Sequence, residues 1–232
     1  MLNSTITIKM KQRINKLDSQ DYDNIECWQI VEAFNKAQVE WSRRQLHGIN
    51  VVKEGDEQST RRKDDLQILM QTSQLPLADQ DYYFSGTLPV DYMQWKRVDV
   101  FAKKDCCENR RMTVYFAEEG NVNLLLRDKQ KQPNFEWAET FATLKGGAVN
   151  IYTNKDFDVA EANLIYYRQP IKIQIQGCID PYTSIQSTVN VPCEFKDDII
   201  EVIIDEAVSI LAGDIESMGQ FGRGTETAER NN

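Results

Sequence analysis

The sequence predicts an α+β fold in which an N-terminal helical hairpin and a C-terminal helix pack with antiparallel β-hairpins. Apolar residues recur at steps of three and four near both ends of the chain, which is the period of a helix. Between the ends, several short runs alternate between apolar and polar residues and are rich in β-branched and aromatic residues, as strands are. One of these runs is divided by the pair Gly146-Gly147, which is typical of a hairpin turn.

Two apolar stripes predict the N-terminal helices. The first stripe is followed by the turn-forming segment DSQDYDN, and Ser4 is placed to cap its helix. The second helix is predicted from Ile25 to Leu46, about 33 Å long, with Asn24 as its cap and Gly48 just beyond its end. The first stripe consists of Ile6, Met10, Ile14 and Leu17, and the second of Cys27, Ile30, Val31, Phe34, Ala37 and Trp41.

The next segments lack strong strand patterns. Residues 50–63 are polar and charged, so we expect a flexible loop there. DDLQILMQTSQL predicts a short third helix through Leu66, Leu69 and Met70, and the proline-containing segment QLPLADQDYYFSGTLPVDYM predicts an extended linker.

The middle of the chain predicts the strands. WKRVDVFA and RRMTVYFA indicate one hairpin, and TFATLKGGAVNIYTN indicates a second. NLIYYRQP and IKIQIQG indicate two more strands, separated by Pro170. EEGNVNLLLRD fits either a short helix or a strand, and the sequence leaves both open.

The segment FKDDIIEVIIDEAVSILAGDIES predicts a helix that is apolar on more than one face, and such a helix is buried on several sides. It belongs either to the domain core alone or also to a subunit interface. We therefore expect one α+β domain over residues 1–215. Residues 216–232 form a polar, glycine-containing tail that we expect to order only on a partner.

Composition excludes several functional classes. The net charge is -9 and the pI is near 4.8, so the chain lacks the cationic excess of a protein that coats nucleic acid. No apolar run approaches the roughly 20 residues that cross a bilayer. The N-terminus lacks the pattern of a secretory signal, so we expect a soluble protein made and kept in a cytoplasm, without membrane contact.

Cysteine and histidine give little support for catalysis or metal binding. The five cysteines have irregular spacing and include no CxxC pair, which is not the pattern of a disulfide framework or a zinc site. The single histidine, His47, fits a helix C-terminus better than a catalytic pair. We predict no catalytic residue, no cofactor-binding residue and no metal ligand.

Three Asp-x-Asp pairs and two glycine clusters are the remaining candidates for a site. Acid pairs can hold calcium or magnesium, but these pairs do not continue into an EF-hand loop, and the interpretation as turn acids is favoured. Neither LKGGA nor GQFGRG has the spacing of a phosphate-binding loop. The pairs are Asp21/Asp23, Asp79/Asp81 and Asp156/Asp158.

The segment STRRKDD places Arg61 and Arg62 beside Lys63. A solvated loop explains this cluster, and a contact with an acidic partner surface is the functional alternative. In the tail, Phe221 and Arg223 are the candidate anchors on a partner.

An ordered set of motifs carries a family resemblance. RINKLDSQDYDNIECWQIVEAFNKAQVEWSRRQLHG, DDLQILM, LPVDYM, QPNFEWAETF, NIYTNKDFDVAEANLIYYRQP and IIEVIIDEAVSILAGDIES occur in that order, from about Ile6 to Gln220. The set resembles the head-to-tail connector (ring or adaptor) structural proteins of crAss-like and related tailed bacteriophages. Asn134 stands where that pattern usually has serine.

The resemblance implies a virion protein that forms a ring below the portal, in twelve copies that follow the symmetry of the portal. It implies contacts with the portal protein, with neighbouring connector or tail proteins and with further copies of this chain, while genomic DNA passes through the lumen without specific binding. Such a protein would be found at the head-tail junction of the virion, and in the host cytoplasm during assembly. The resemblance implies no catalytic residue.

Other classes remain open at this point. The chain could be a tail-tube subunit or a non-virion assembly factor of the same lineage. A hydrolase using Asp79/Asp81 or Asp156/Asp158 is the weakest alternative, because no second histidine and no phosphate-binding loop accompany the acids.

Overall fold

The computed structural model describes residues 1–14, 25–47, 64–105 and 107–214. The chain divides into two compact units. The first, called here the helical unit, comprises Met1–Ile68 and Pro170–Asn232, and the second, the sheet unit, comprises Leu69–Gln169. The α+β class is confirmed, whereas the single domain predicted for residues 1–215 stays a prediction.

Three helices form the core of the helical unit: α1 (Asn3–Ile14), α2 (Cys27–His47) and α4 (Asp197–Asp214). Both N-terminal helices pack mainly against α4. Their apolar stripes are buried as predicted, since Ile6, Met10 and Ile14 of α1 and Ile30 and Phe34 of α2 have almost no exposed surface. Burial of each such side chain contributes about 1.5–3 kcal/mol.

Helix α4 is the central element of this unit. From Ile199 to Ala212 every side chain is buried or half-buried, which confirms the prediction of a helix covered on several sides. Two of its acidic side chains form ion pairs with cations of α1. Lys9 and Arg13 of α1 form ion pairs with Glu201, and Arg13 also pairs with Asp205.

The predicted turn between α1 and α2 lies outside the described residues, so the antiparallel helical hairpin stays a prediction. The loop at 50–63 and the tail at 216–232 also lie outside them.

The sheet unit contains one eight-stranded mixed sheet, and its strand order is β1-β8-β4-β5-β6-β7-β3-β2. All neighbouring strands are antiparallel except β5 and β6, which are parallel. The strands are β1 (Met70–Gln74), β2 (Leu77–Asp79), β3 (Tyr83–Thr87), β4 (Tyr92–Lys104), β5 (Cys107–Phe116), β6 (Glu139–Lys145), β7 (Ala148–Tyr152) and β8 (Asp158–Arg168).

The sheet is curled so that its two edges approach each other. β1 and β2 lie at opposite edges, yet only Leu75 and Pro76 separate them, a distance of at most about 11 Å. A flat sheet of this size would be about 34 Å wide. Leu75 bridges both edges: its N–H donates to Ala162 O of β8 at 2.9 Å, and its side chain lies against Gly86 of β3.

The absence of a side chain at Gly86 permits this contact. A Cβ atom at that position would lie 2.8 Å from Leu75 Cβ, which is closer than side chains pack. The interior of the curled sheet is filled by alternate residues of the strands, as the pleat requires. They include Leu75, Val98, Val100, Ala102, Met112, Ala142, Val149, Ile151, Ala162 and Leu164.

The short helix α3 (Val122–Arg127) lies in the connection between the parallel strands β5 and β6. Parallel neighbours need such a crossover because a tight turn cannot join them. Val122, Leu125 and Leu126 cover Phe141 and Tyr152 on the outer surface of the sheet. The sequence left a helix and a strand open for this segment, and the structure has the helix.

Several predictions about the strands are confirmed. The first predicted hairpin forms β4 and β5, the second forms β6 and β7, and NLIYYRQP lies in β8. Gly146 and Gly147 have φ values of 60° and 77°, as the predicted two-residue turn requires.

One other prediction is wrong in part and another is wrong. In the predicted third helix, Asp64 and Asp65 are helical and Gln67–Leu69 form a short 3-10 turn, but Met70–Gln74 form β1, because they gain a full set of partners on β8. The predicted linker contains β2, β3 and the start of β4, since its aromatic residues pair with β7 and β8. The strands also form one mixed sheet rather than separate antiparallel hairpins.

Candidate functional site

The helical unit carries an irregular hairpin, residues 174–191, between Pro170 and α4. Gln174 and Val191 exchange backbone hydrogen bonds of 3.2 and 2.9 Å. Nearer the tip, Gly177 N–H donates to Ser187 O and Ser187 N–H donates to Cys178 O. The strand predicted for IKIQIQG is therefore wrong: the segment forms only isolated bridges, because Gly177 and Pro181 interrupt regular pairing.

Buried side-chain amides hold this region on the helices. Asn3 of α1 donates from Nδ2 to Gln174 O at 2.8 Å and to Val191 O at 2.9 Å. Asn35 of α2 accepts from Ile173 N–H at 2.8 Å, and Gln38 donates to Ile171 O at 3.0 Å. The bonds of Asn35 and Gln38 satisfy backbone groups of Ile173 and Ile171, which lie outside the strands and bridges.

A disulfide between Cys27 and Cys178 joins the hairpin to the start of α2, with 5.8 Å between the Cα atoms. The spacing of the five cysteines had indicated no disulfide framework, and for this pair the expectation is wrong. Sequence spacing could not reveal it, because the two cysteines are brought together only when the hairpin packs on α2. Cys107 is an exposed thiol, and burial raises the pKa of the Cys193 thiol.

A groove of about 900 Å³ lies between α2 and the segment 172–188. One wall is the exposed side of α2, and the other is the inner side of the hairpin. Apolar residues on both walls make the floor of the groove hydrophobic: Trp28, Val31, Val39, Ile173, Ile175 and Ile179.

Helix α2 and the facing segment of the hairpin run in opposite directions along the groove. As a result, the acidic and the basic residues of the groove lie at different ends. The ring of Trp28 contacts that of Tyr182 edge to face, with 6.5 Å between centroids, whereas Asn35 and Gln38 bond Ile173 and Ile171. The Trp28 end therefore carries the acids, Glu32 and Asp180. The opposite end carries the cations, Lys36, Arg43 and Lys172.

These cations are exposed, and among the described residues none of the three has a hydrogen-bond or ion-pair partner. Glu40 also lines their end of the groove, but its carboxyl faces Glu206. At the other end, the Asp180 carboxylate accepts from Tyr182 N–H at 2.8 Å and from Thr183 Oγ1 at 3.0 Å. The backbone bond from Tyr182 is the main cause that lowers the Asp180 pKa.

The tip of the hairpin is unusually apolar for a surface segment. Four large side chains are at least half exposed: Ile179 at 56%, Tyr182 at 80%, Ile185 at 67% and Val189 at 52%. Asp180 is the only charged residue between Gln174 and Val191. Grouped apolar surface of this kind is uncommon on a monomer and is typical of an interaction site.

A buried carboxyl lies behind the groove. Glu206 of α4 is 4% exposed and accepts a hydrogen bond of 2.5 Å from Arg44. Burial raises the Glu206 pKa to about 7, and the nearby Glu40 carboxyl adds to the effect, while Arg44 opposes it. Because the bond from Arg44 joins α2 to α4, we treat Glu206 as part of the helix packing.

The two described acid pairs lie where strands meet turns, in agreement with the favoured interpretation: Asp79 ends β2 and Asp158 begins β8. Asp79 accepts from Asp81 N–H at 2.9 Å, and Asp81 pairs with Lys155 at 2.6 Å. Asp156 accepts from Lys104 Nζ and from Phe135 N–H. Asp21 and Asp23 lie outside the described residues. Within the described ranges, no group of three or more His, Cys, Asp or Glu side chains is arranged to hold a metal ion.

The predicted contact residues Arg61, Arg62, Phe221 and Arg223 all lie outside the described part of the chain, so their role stays a prediction. His47 ends α2, as predicted from the helix stripe. Asn134 fits its turn: its side-chain oxygen accepts from Trp137 N–H at 3.0 Å, a bond that serine could also supply.

The groove and the hairpin tip were missed from the sequence. The available signal was the segment QIQGCIDPYTSIQSTVNV, which combines turn residues and several large apolar residues with a single charge.

Neither a scan against protein-family models nor a search of curated proteins finds a match to this chain. No helix in the described ranges combines the length and apolar character that crossing a membrane demands.

Proposed function

We propose that this chain is a structural virion protein that forms a ring in the head-to-tail connector below the portal. The ring would bridge capsid and tail around the DNA channel. The observation that supports an assembly protein in general is the exposed apolar tip of the 174–191 hairpin, because such a surface is covered when a partner binds. The ordered motifs from Ile6 to Gln220 carry the more specific assignment to the connector.

A ring subunit needs two different contact surfaces, since each copy meets its neighbours head to tail. The hairpin tip supplies one candidate in the helical unit. The sheet unit has its own exposed aromatic residues, Tyr115 at 55% and Trp137 at 58%, on β5 and just before β6. Aromatic side chains are common at interface centres because they bury much area at low entropic cost.

The remaining parts of the proposal follow from this assignment. The ring has twelve copies if it follows portal symmetry, and it contacts the portal and the adjoining connector or tail proteins. The net charge of -9 suits a lumen through which DNA passes without binding, because like charges repel. The helical hairpin predicted for α1 and α2 belongs to this proposal, with its turn at 18–24.

Binding to purified portal tests the proposal. We expect the full chain to add to portal rings at one copy per portal subunit, measured by native mass spectrometry. Ile185→Asp with Val189→Asp should reduce this binding at least about tenfold, since each change places a charge in an apolar contact. The matched control is Val90→Asp, a fully exposed residue of the sheet unit.

The control variant should bind as the unmodified chain does. Absence of binding by the unmodified chain, or binding in irregular amounts, would contradict the proposal.

A further inference from the structure

The groove between α2 and the 174–191 hairpin has features that a peptide segment would match. It is open along one side of α2, apolar along its floor and charged at both ends with opposite sign. From Trp28 to Arg43 the helix rises about 22 Å. A peptide of about seven extended residues spans that length.

The C-terminal segment of this chain has the complementary pattern. The described part ends with α4 at Asp214, and residues 215–232 continue beyond it. In the sequence IESMGQFGRGTETAERNN, Phe221 and Arg223 precede Glu226 and Glu229. From Phe221 to Glu229 the extended chain spans at most about 29 Å, which is enough to follow the groove.

We propose that the groove of one subunit binds residues 221–229 of a neighbouring subunit. In this arrangement Phe221 occupies the apolar end formed by Trp28, Val31 and Ile179. Arg223 lies beside Glu32 and Asp180, and the carboxylates of Glu226 and Glu229 lie beside Lys36, Lys172 and Arg43.

The charges of the groove specify the direction of the peptide. In the reverse direction, both glutamates would face Glu32 and Asp180, and Arg223 would face three cations. Like charges in such positions disfavour a complex. Glu40 reduces the positive charge at the cationic end, but it does not remove it, because three cations line that end and Glu40 faces Glu206.

The inference rests on the proposed ring, because docking onto a neighbour gives each subunit one donor surface and one acceptor surface. Such an interface is heterologous and closes by rotation. Residues 221–229 thereby form a contact between successive subunits of the ring.

Photo-cross-linking of the full chain tests the contact directly. Phe221 is replaced by a benzophenone amino acid, and isotopically light and heavy chains are mixed in equal amounts before irradiation. We expect cross-linked peptides that join position 221 of one isotope to residues 28–31 or 179–182 of the other. Cross-links to other surfaces, or only between peptides of the same isotope, would overturn the inference.

Charge reversal provides a second, independent readout in the full chain. Lys36→Glu with Lys172→Glu should lower the yield of light–heavy cross-links about tenfold, and so should Glu226→Lys with Glu229→Lys, since opposed charges become like charges. Mixing the two variants should restore the yield, because each mixture contains complementary pairs. Restoration only when all four changes lie in one chain would overturn docking between subunits.

The control is Lys103→Glu with Lys129→Glu, which changes the net charge equally at two exposed lysines of the sheet unit. It should leave the yield unchanged. If the groove cross-links are absent while virions contain the chain in portal stoichiometry, only this inference fails. If the cross-links form but virions lack the chain, the proposed function fails instead.

Discussion

Individual residues show how buried polar groups are tolerated in the helical unit. Glu201 and Glu206 lie on the same helix but have opposite environments. Burial favours the neutral form of both, yet Lys9 and Arg13 outweigh it at Glu201 and lower that pKa, whereas Glu206 has one cation and a neighbouring carboxyl, Glu40. The balance of partners, rather than burial alone, decides which carboxyl is ionised.

The raised pKa of Glu206 predicts a specific pH dependence of stability. The folded state holds the Glu206 proton more tightly than the unfolded state, so the free energy of unfolding falls as the pH rises from about 4.5 to about 7. The loss is on the order of 3 kcal/mol. Glu206→Gln removes this titration. The free energy of unfolding of the variant, relative to that of the unmodified chain, should therefore be higher at pH 8 than at pH 5.

Urea unfolding of the two proteins at both pH values measures this difference. Glu201→Gln is the matched control, because the Glu201 pKa is lowered from 4.5 and its titration therefore lies below this pH range, so that its effect should be the same at pH 5 and pH 8. Its ion pairs contribute stability that is present above the unfolded-state pKa and lost as the pH falls through the folded-state pKa. An equal effect of Glu206→Gln at pH 5 and pH 8 would contradict this account.

At the scale of elements, the 174–191 hairpin depends on a few specific attachments. Two bridges hold it together, while Asn3 and the Cys27–Cys178 disulfide connect it to the helices. It has little regular structure of its own. Segments with few backbone hydrogen bonds and exposed apolar residues open at low free energy, so the disulfide limits how far this hairpin moves.

Reduction of the disulfide should therefore loosen the hairpin selectively. We expect Cys178→Ser to raise amide hydrogen exchange at residues 176–187 about tenfold or more, because the remaining contacts of the tip are weak. Exchange in α4, whose side chains are enclosed, should not change. The measurement is hydrogen–deuterium exchange with mass spectrometry.

Cys107→Ser is the control, since its thiol is exposed and lies in the sheet unit. The same exchange rates at 176–187 in the Cys178→Ser variant and the unmodified chain would show that the disulfide does not restrain the hairpin.

Local sequence patterns predicted the elements whose partners are near in the chain. The stripes of α1, α2 and α4 and the Gly146-Gly147 turn need only their own residues to be recognised. The segment Met70–Gln74 was misassigned because Leu66, Leu69 and Met70 fit a helical period. Its strand forms because β8, far along the sequence, supplies the hydrogen-bond partners.

At the scale of the whole molecule, long-range pairing determined what could not be predicted. The parallel pair β5 and β6 and the approach of β1 to β2 depend on contacts across the sheet. The groove could not be predicted either, because α2 and the hairpin meet only in the folded helical unit. The aromatic residues that line the groove, such as Trp28 and Tyr182, are nevertheless easy to notice in the sequence.

The proposed ring makes a quantitative prediction about the virion. Every portal subunit should be matched by one copy of this chain, because a ring stacked on the portal shares its symmetry. A tail-tube subunit would be present in large excess over the portal, and an assembly factor would be missing from finished particles.

Quantitative mass spectrometry of purified virions, with the portal protein as the internal reference, tests the central claim most directly. The proposed function predicts a ratio of this chain to the portal near one to one. A ratio far above one, or absence of the chain from particles, would contradict a place in the connector ring.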